Sequence, residues 1–118
     1  MTPLNRTGAG RLDQRIAFDE LVEVDDGFGN MVGDWETQFA VAGEIIWQRG
    51  GEAVMAARLA ERQPLTIRVR KSSDTIRITA GWRARNVRSG EQFAIRTVTP
   101  DKASRAMIEL LCEAGVAT

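Results

Sequence analysis

Apolar side chains recur at every second position over most of this chain, the period of a half-buried β-strand. Ile16, Phe18, Val22 and Val24 fall on one side of such an alternation, with Glu20 as the exception, so a long first strand is expected from Arg15 onward. The run Asp25-Asp26-Gly27-Phe28-Gly29-Asn30 is tolerant of positive φ, and Trp35, Thr37, Phe39 and Val41 alternate again after it. That order predicts a hairpin with a loop longer than two residues. Ala42 to Trp47 is apolar enough to be strand and ends at Gly50-Gly51. From Pro64, Leu65, Ile67 and Val69 face one way while Thr66, Arg68 and Arg70 face the other, as in an amphipathic strand. Ile76 and Ile78 predict a short strand, and Trp82 to Arg88 with Glu91 to Thr99 a hairpin pivoting on Ser89-Gly90. Ala106, Ile108, Leu110 and Cys112 alternate with Met107, Glu109 and Leu111 in a largely buried last strand.

One segment breaks the pattern. Glu52 to Arg62 is rich in Ala, Met, Leu, Glu and Arg, with Glu52 first and Arg58 and Arg62 late, as the dipole of a helix prefers. Its face is built mostly from alanines, so this helix should lie against a sheet. Residues 1–10 carry no periodicity and are expected to form a flexible arm, leaving residues 11–118 as a single domain. The expected fold is mainly β: a small β-barrel or sandwich with one short α-helix and long loops.

A chain of 118 residues suits one domain that needs neither metal nor disulfide to hold its core. Cys112 is the single cysteine and lies in an apolar run, where a thiol acts as a small hydrophobe. Neither a signal peptide nor an apolar stretch long enough to span a membrane is evident, so the expected place of synthesis is a reducing cytoplasm. Histidine and tyrosine are absent, which removes the commonest general base and the commonest transition-metal ligand. Asp19 and Glu20, adjacent on a strand, point to opposite faces and cannot share one ion. Asp25 and Asp26 lack the ligand spacing of a calcium loop, and Gly27-Phe28-Gly29 lacks the Gly-Lys-Ser/Thr of a phosphate loop. No catalytic residue, metal or cofactor is expected.

Charge changes the picture. Asp13 to Glu44 carries nine acidic side chains against the single basic Arg15, whereas Pro64 to Arg105 carries ten basic side chains against Asp74, Glu91 and Asp101. Opposite fields on one small domain suit contacts with copies of itself or with unlike neighbours. Fourteen of the sixteen basic residues are arginine, whose planar fork favours interfaces and nucleic-acid backbones. The candidate subunit or partner interface is therefore Asp19, Glu23, Asp25 and Asp26 on the acidic side and Arg68, Arg70, Arg83 and Arg85 on the basic side, with Trp47 and Arg49 as anchors at a strand end. Arg49, Arg70 and Lys71 are candidates for contact with DNA in a channel. A small monomeric nucleic-acid-binding β-barrel is the alternative, weakened by the few aromatics in the basic stretch.

Gly10-Arg11-Leu12-Asp13-Gln14-Arg15-Ile16, Asp26-Gly27-Phe28-Gly29-Asn30 followed by Trp35, and Gly50-Gly51-Glu52 occur in that order. They continue into Leu65-Thr66-Ile67-Arg68-Val69-Arg70, Ser89-Gly90-Glu91-Gln92-Phe93-Ala94-Ile95 and Ile108-Glu109-Leu110-Leu111-Cys112-Glu113. Over nearly its whole length the chain thus resembles the head-tail joining, or head closure (stopper), proteins of long-tailed phages, which also occur in prophages and gene transfer agents. The resemblance implies a non-enzymatic virion neck protein, made in the bacterial cytoplasm. Such a protein would form a ring of itself, expected as a hexamer, between the portal or adaptor and the tail terminator or tail tube protein. There it would close the exit channel of the packaged double-stranded DNA and offer a platform for the tail, with no membrane involved. An adaptor or tail terminator ring of the same connector is the neighbouring alternative. A ring uses heterologous contacts, so the acidic first hairpin of one protomer would lie near the Arg-bearing strands of the next or of the adaptor.

Overall fold

The computed structural model describes residues 12–48, 62–100 and 106–115. Among them run the strands β1 (Gln14–Asp25), β2 (Met31–Trp47), β3 (Gln63–Arg70), β4 (Arg83–Asn86), β5 (Gln92–Pro100) and β6 (Met107–Ala114). All neighbours are antiparallel, in the order β1-β2-β3-β6-β5-β4, and β4 pairs back onto β1, so that the sheet closes on itself. Closure leaves the body of the sheet without open edges. The mainly β expectation holds. The predicted strand Ala42–Trp47 is the second half of β2 rather than a separate element. The predicted helix, apart from Arg62, lies outside the described residues, as do Gly50-Gly51 and the N-terminal arm.

The core follows the alternation. Ile16 and Phe18 from β1, Leu65, Ile67 and Val69 from β3, Phe93 and Ile95 from β5, and Leu110 and Cys112 from β6 all point into the closed sheet and are at most 3% exposed. Phe39 packs on Phe18 with ring centroids 5.3 Å apart, and Trp47 meets Phe93 edge-on at 6.0 Å. Burial holds the Cys112 thiol protonated, raising its pKa to about 12.

Two register shifts depart from strict alternation. Phe18 pairs with Phe39 but Asp19 with Thr37, so Gln38 is an extra residue on β2. Ile95 pairs with Cys112 but Thr97 with Leu111, so Arg96 is an extra residue on β5. An extra residue switches the face of everything beyond it. Phe39 therefore faces inward while Thr37 and Trp35 share the outer face with Asp19.

The strand predicted at Ile76 and Ile78 is instead a 3₁₀ turn, Thr75–Arg77. Its side chains compete with any ladder: the Ser72 amide donates to Thr75 Oγ1 at 2.8 Å, the Thr75 amide to Ser72 Oγ at 3.1 Å, and the Thr75 hydroxyl to the Arg70 carbonyl at 2.6 Å. Ile78 enters the core while Ile76 is 58% exposed.

The first hairpin extends past the closed sheet. β4 pairs with β1 only from Ile16 to Asp19, so Glu20–Asp25 pairs with Met31–Glu36 alone among the described strands. At about 3.4 Å per residue this makes an arm roughly 20 Å long. Val22 and Val24, expected on the same side of the first strand as Ile16 and Phe18, lie on this arm, where Val24 is exposed and Val22 half-buried.

Where β2 leaves β1 for β3, Gly43 faces both Gln14 and Val69. A Cβ there would stand 3.0 Å from Ile16 Cγ1 and 3.3 Å from both the Arg68 carbonyl oxygen and Val69 Cγ1. Gly43→Val is expected to lower stability by about 1–3 kcal/mol through overpacking. Gly33→Ala, which meets only the exposed and flexible Leu21 side chain, should change it far less. Urea denaturation of both variants checks the difference.

Candidate functional site

Asp19 is the centre of the molecule's electrostatics. It points to the outer face yet is 0% exposed, because β4 and β2 lay side chains over it. Arg83 donates twice to Asp19 Oδ2, from Nε at 2.9 Å and Nη2 at 2.7 Å. The Thr37 hydroxyl donates to Oδ1 at 2.7 Å, and Arg85 reaches the carboxylate at 3.4 Å. Trp35 stacks on the Arg83 guanidinium, 4.6 Å from ring centroid to Cζ. Burial pushes the Asp19 carboxyl up, but the bonds from Thr37, Arg83 and Arg85 outweigh it and leave its pKa below the ordinary value. The clamp joins β1, β2 and β4 where the closed sheet ends and the arm begins. Its signal in the sequence is Arg83 and Arg85, two apart on a short strand whose register sets Arg83 opposite Asp19; the bulge at Gln38 is what brings Thr37 to the same face.

The structure divides the sequence-predicted residues into three groups. Asp19, Arg83 and Arg85 meet one another within the chain. Arg68 is 5% exposed and donates to Glu44 at 3.2 Å. Glu23, Asp25, Asp26, Arg70 and Lys71 are exposed, Trp47 is 36% exposed at the end of β2, and Arg49 lies outside the described residues.

Asp25 and Asp26 organise the tip of the arm. Asp25 accepts from the Gly27 amide at 2.9 Å, and Asp26 Oδ1 accepts from the amides of Phe28 at 2.7 Å and Asn30 at 3.2 Å. The bond from Phe28 leads the forces that hold the Asp26 carboxyl below its usual range. Gly27 and Gly29 both take φ of 86°, which an L side chain rarely adopts. The turn thereby presents Phe28 at 88% exposure, with Leu21, Met31 and Val32 exposed behind it. The alternation gave no sign that these apolar side chains would be exposed, because that follows from β4 pairing with β1 only as far as Asp19.

At the opposite end, an open cleft of about 550 Å³ is lined by Asp13, Gln14, Glu44, Trp47, Asn86 and Glu91 among others. It offers carboxylates, amides and the Ser89 hydroxyl. Among the described residues no group of acidic, cysteine or histidine side chains is placed to hold a metal, and no helix is long and apolar enough to cross a membrane.

A small closed sheet with ion pairs on its outer face and an arm with exposed apolar side chains has the surface of a protein suited to contacts with other proteins. The chain matches the phage head completion protein family over residues 8–115 and belongs to that family, and so is a structural protein of the virion rather than an enzyme. Its fold is similar to the solution structure of protein SF1141 from Shigella flexneri 2a, at 26% identity and a TM-score of 0.70, covering 95% of this chain and 100% of that one. It is also similar to a chain in the virion of a native gene transfer agent particle, at 23% identity and a TM-score of 0.60, with both chains fully covered (100%). No curated protein matches its sequence.

Asp19→Asn removes the charge that Arg83 and Arg85 bond, while both guanidiniums keep some access to water, so it is expected to lower stability by about 1.5–3 kcal/mol. The pH dependence has a defined sign. A carboxyl with a lowered folded pKa adds stability above its unfolded value, near 4, that is lost as pH falls through the folded value. Melting temperature measured from about pH 6 down to pH 2 should therefore fall more steeply in the wild type than in Asp19→Asn.

Proposed function

We propose that this head completion protein assembles as a ring between the portal or adaptor and the tail, where it closes the DNA exit channel and offers the surface on which the tail docks. The observation that carries this reading is the arm. An isolated two-stranded ribbon is marginal in water, and this one also exposes Leu21, Phe28, Met31 and Val32, so its stable state requires a neighbour. Membership of the head completion family supplies the context, and a protein of the same fold stands in the virion of a gene transfer agent.

The arginines weigh against an independent nucleic-acid-binding module. Arg68, Arg83 and Arg85 are engaged by Glu44 and Asp19, so the strand faces do not form an open basic track for a phosphate backbone. A ring needs no such track.

Particles produced without this chain are expected to contain filled heads that lose DNA and carry no tails, and supplying it in trans should restore both properties. Electron microscopy together with nuclease protection of packaged DNA measures this. Tailed, DNA-retaining particles in its absence would refute the role.

A further inference from the structure

The proposed ring leaves open which surfaces of the chain meet, and the structure carries an answer. The arm from Glu20 to Glu36 bears Glu20, Glu23, Asp25, Asp26, Asp34 and Glu36 and no basic residue. Its apolar side chains project from both faces: Leu21 and Met31 on one, Val24 and Val32 on the other, and Phe28 at the tip. A surface that covers it must be basic, must carry apolar area and must be held in shape beforehand.

The segment Arg70–Arg77 has these properties. Arg70 and Lys71 are exposed, and Ile76 at 58% stands next to Arg77, whose side chain is 48% exposed. The segment is ordered before any contact by the Ser72–Thr75 bonds, by Thr75 donating to the Arg70 carbonyl, and by the Lys71 amide donating to the Ala106 carbonyl. Asp74 is the one acidic side chain in it, 3.8 Å from Arg77.

This patch sits at the root of the arm, since Arg77 Nη2 donates to Gln38 Oε1 at 3.0 Å. A contact from the tip of one arm to the root of the next repeats without change from copy to copy, as a heterologous interface requires. Resting on the ring reading, we infer that the arm of one copy lies on Arg70, Lys71, Ile76 and Arg77 of the adjacent copy. Phe28 and Ile76 supply the apolar contact, and the arm carboxylates face the three basic side chains. Arg70 and Lys71 then serve the subunit interface rather than DNA.

The test uses assembled particles. A chain carrying Phe28→Cys and Ile76→Cys, both at exposed positions, is expected on mild oxidation to give a ladder of cross-linked multimers of itself, while either single variant gives no ladder. Glu23→Lys with Asp34→Lys, or Arg70→Glu with Lys71→Glu, introduced into the cysteine-bearing chain, should each reduce the ladder at least tenfold. Co-expressing the two charge-reversed chains should restore it, because each reversed arm then finds a reversed patch. Absence of multimers from tailed particles that hold the chain at normal copy number, or cross-links to a different neck protein, would overturn this contact and leave the ring standing. Tailed, DNA-retaining particles in which the chain is absent would instead remove the ring reading itself.

Discussion

A carboxylate buried on the outside of a sheet is an unusual place to put a charge, and in this protein the position of Asp19 controls what lies on either side of it. Below it, β1 is shared by β2 and β4 and its inward residues fill the core; above it, among the described strands, β1 pairs with β2 alone. Arg83 on β4, Thr37 on β2 and the carboxylate on β1 are joined by bonds of 2.7 to 2.9 Å, so three strands are fixed in register at the last rung they share. Buried ion pairs add little net stability compared with apolar packing of the same volume, but they are intolerant of being half made. A slip of β2 by one residue would turn Thr37 inward and leave Asp19 short of a donor. The clamp thus opposes the misregistration to which a long, mostly exposed hairpin is prone.

The division of charge along the sequence resolves into two kinds of contact. Asp19 with Arg83 and Arg85, and Glu44 with Arg68, use opposite charges inside one chain, where they hold strands together. The acids of the arm beyond Glu20 and the basic segment at Arg70–Arg77 stay separate and exposed. Long-range acidic and basic blocks therefore reflect both a folding requirement and a surface, and only the spatial pairing tells them apart.

Much of the sheet was legible in the alternation. Leu65, Ile67 and Val69, and Ile108, Leu110 and Cys112, face the core as their spacing predicts, and the hairpin loops at Asp25–Asn30 and Ser89-Gly90 fall where glycines permit positive φ. What the spacing hid were the two extra residues, Gln38 and Arg96, because a bulge has no compositional mark on a strand of mixed polarity. Without the first of them, Trp35, Thr37, Phe39 and Val41 read as one face, and nothing sets the Thr37 hydroxyl beside Asp19, which the charge pattern assigned to a subunit or partner interface. The pair Ile76 and Ile78 read as strand for a different reason: two alternating isoleucines satisfy the period, while Ser72 and Thr75 capture the local backbone bonds first. Where Val22 and Val24 end up was set by topology, since β4 stops at Asp19 and nothing in their own sequence records it.

The arm also explains why its charge has one sign. Two open strand edges with exposed apolar side chains are a template for pairing with any like ribbon, including the same arm of another copy. Six carboxylates make that pairing repulsive, so the least specific association open to the chain is also disfavoured electrostatically. The same carboxylates leave attraction to a basic surface intact. An apolar tip then strengthens only contacts that charge has already admitted, so exposed hydrophobic area can be kept on an otherwise well-packed protein without promoting aggregation. On the contact proposed above, the closed sheet and the arm divide the work: the first holds the core, and the second, which has no core of its own, meets the neighbouring copy.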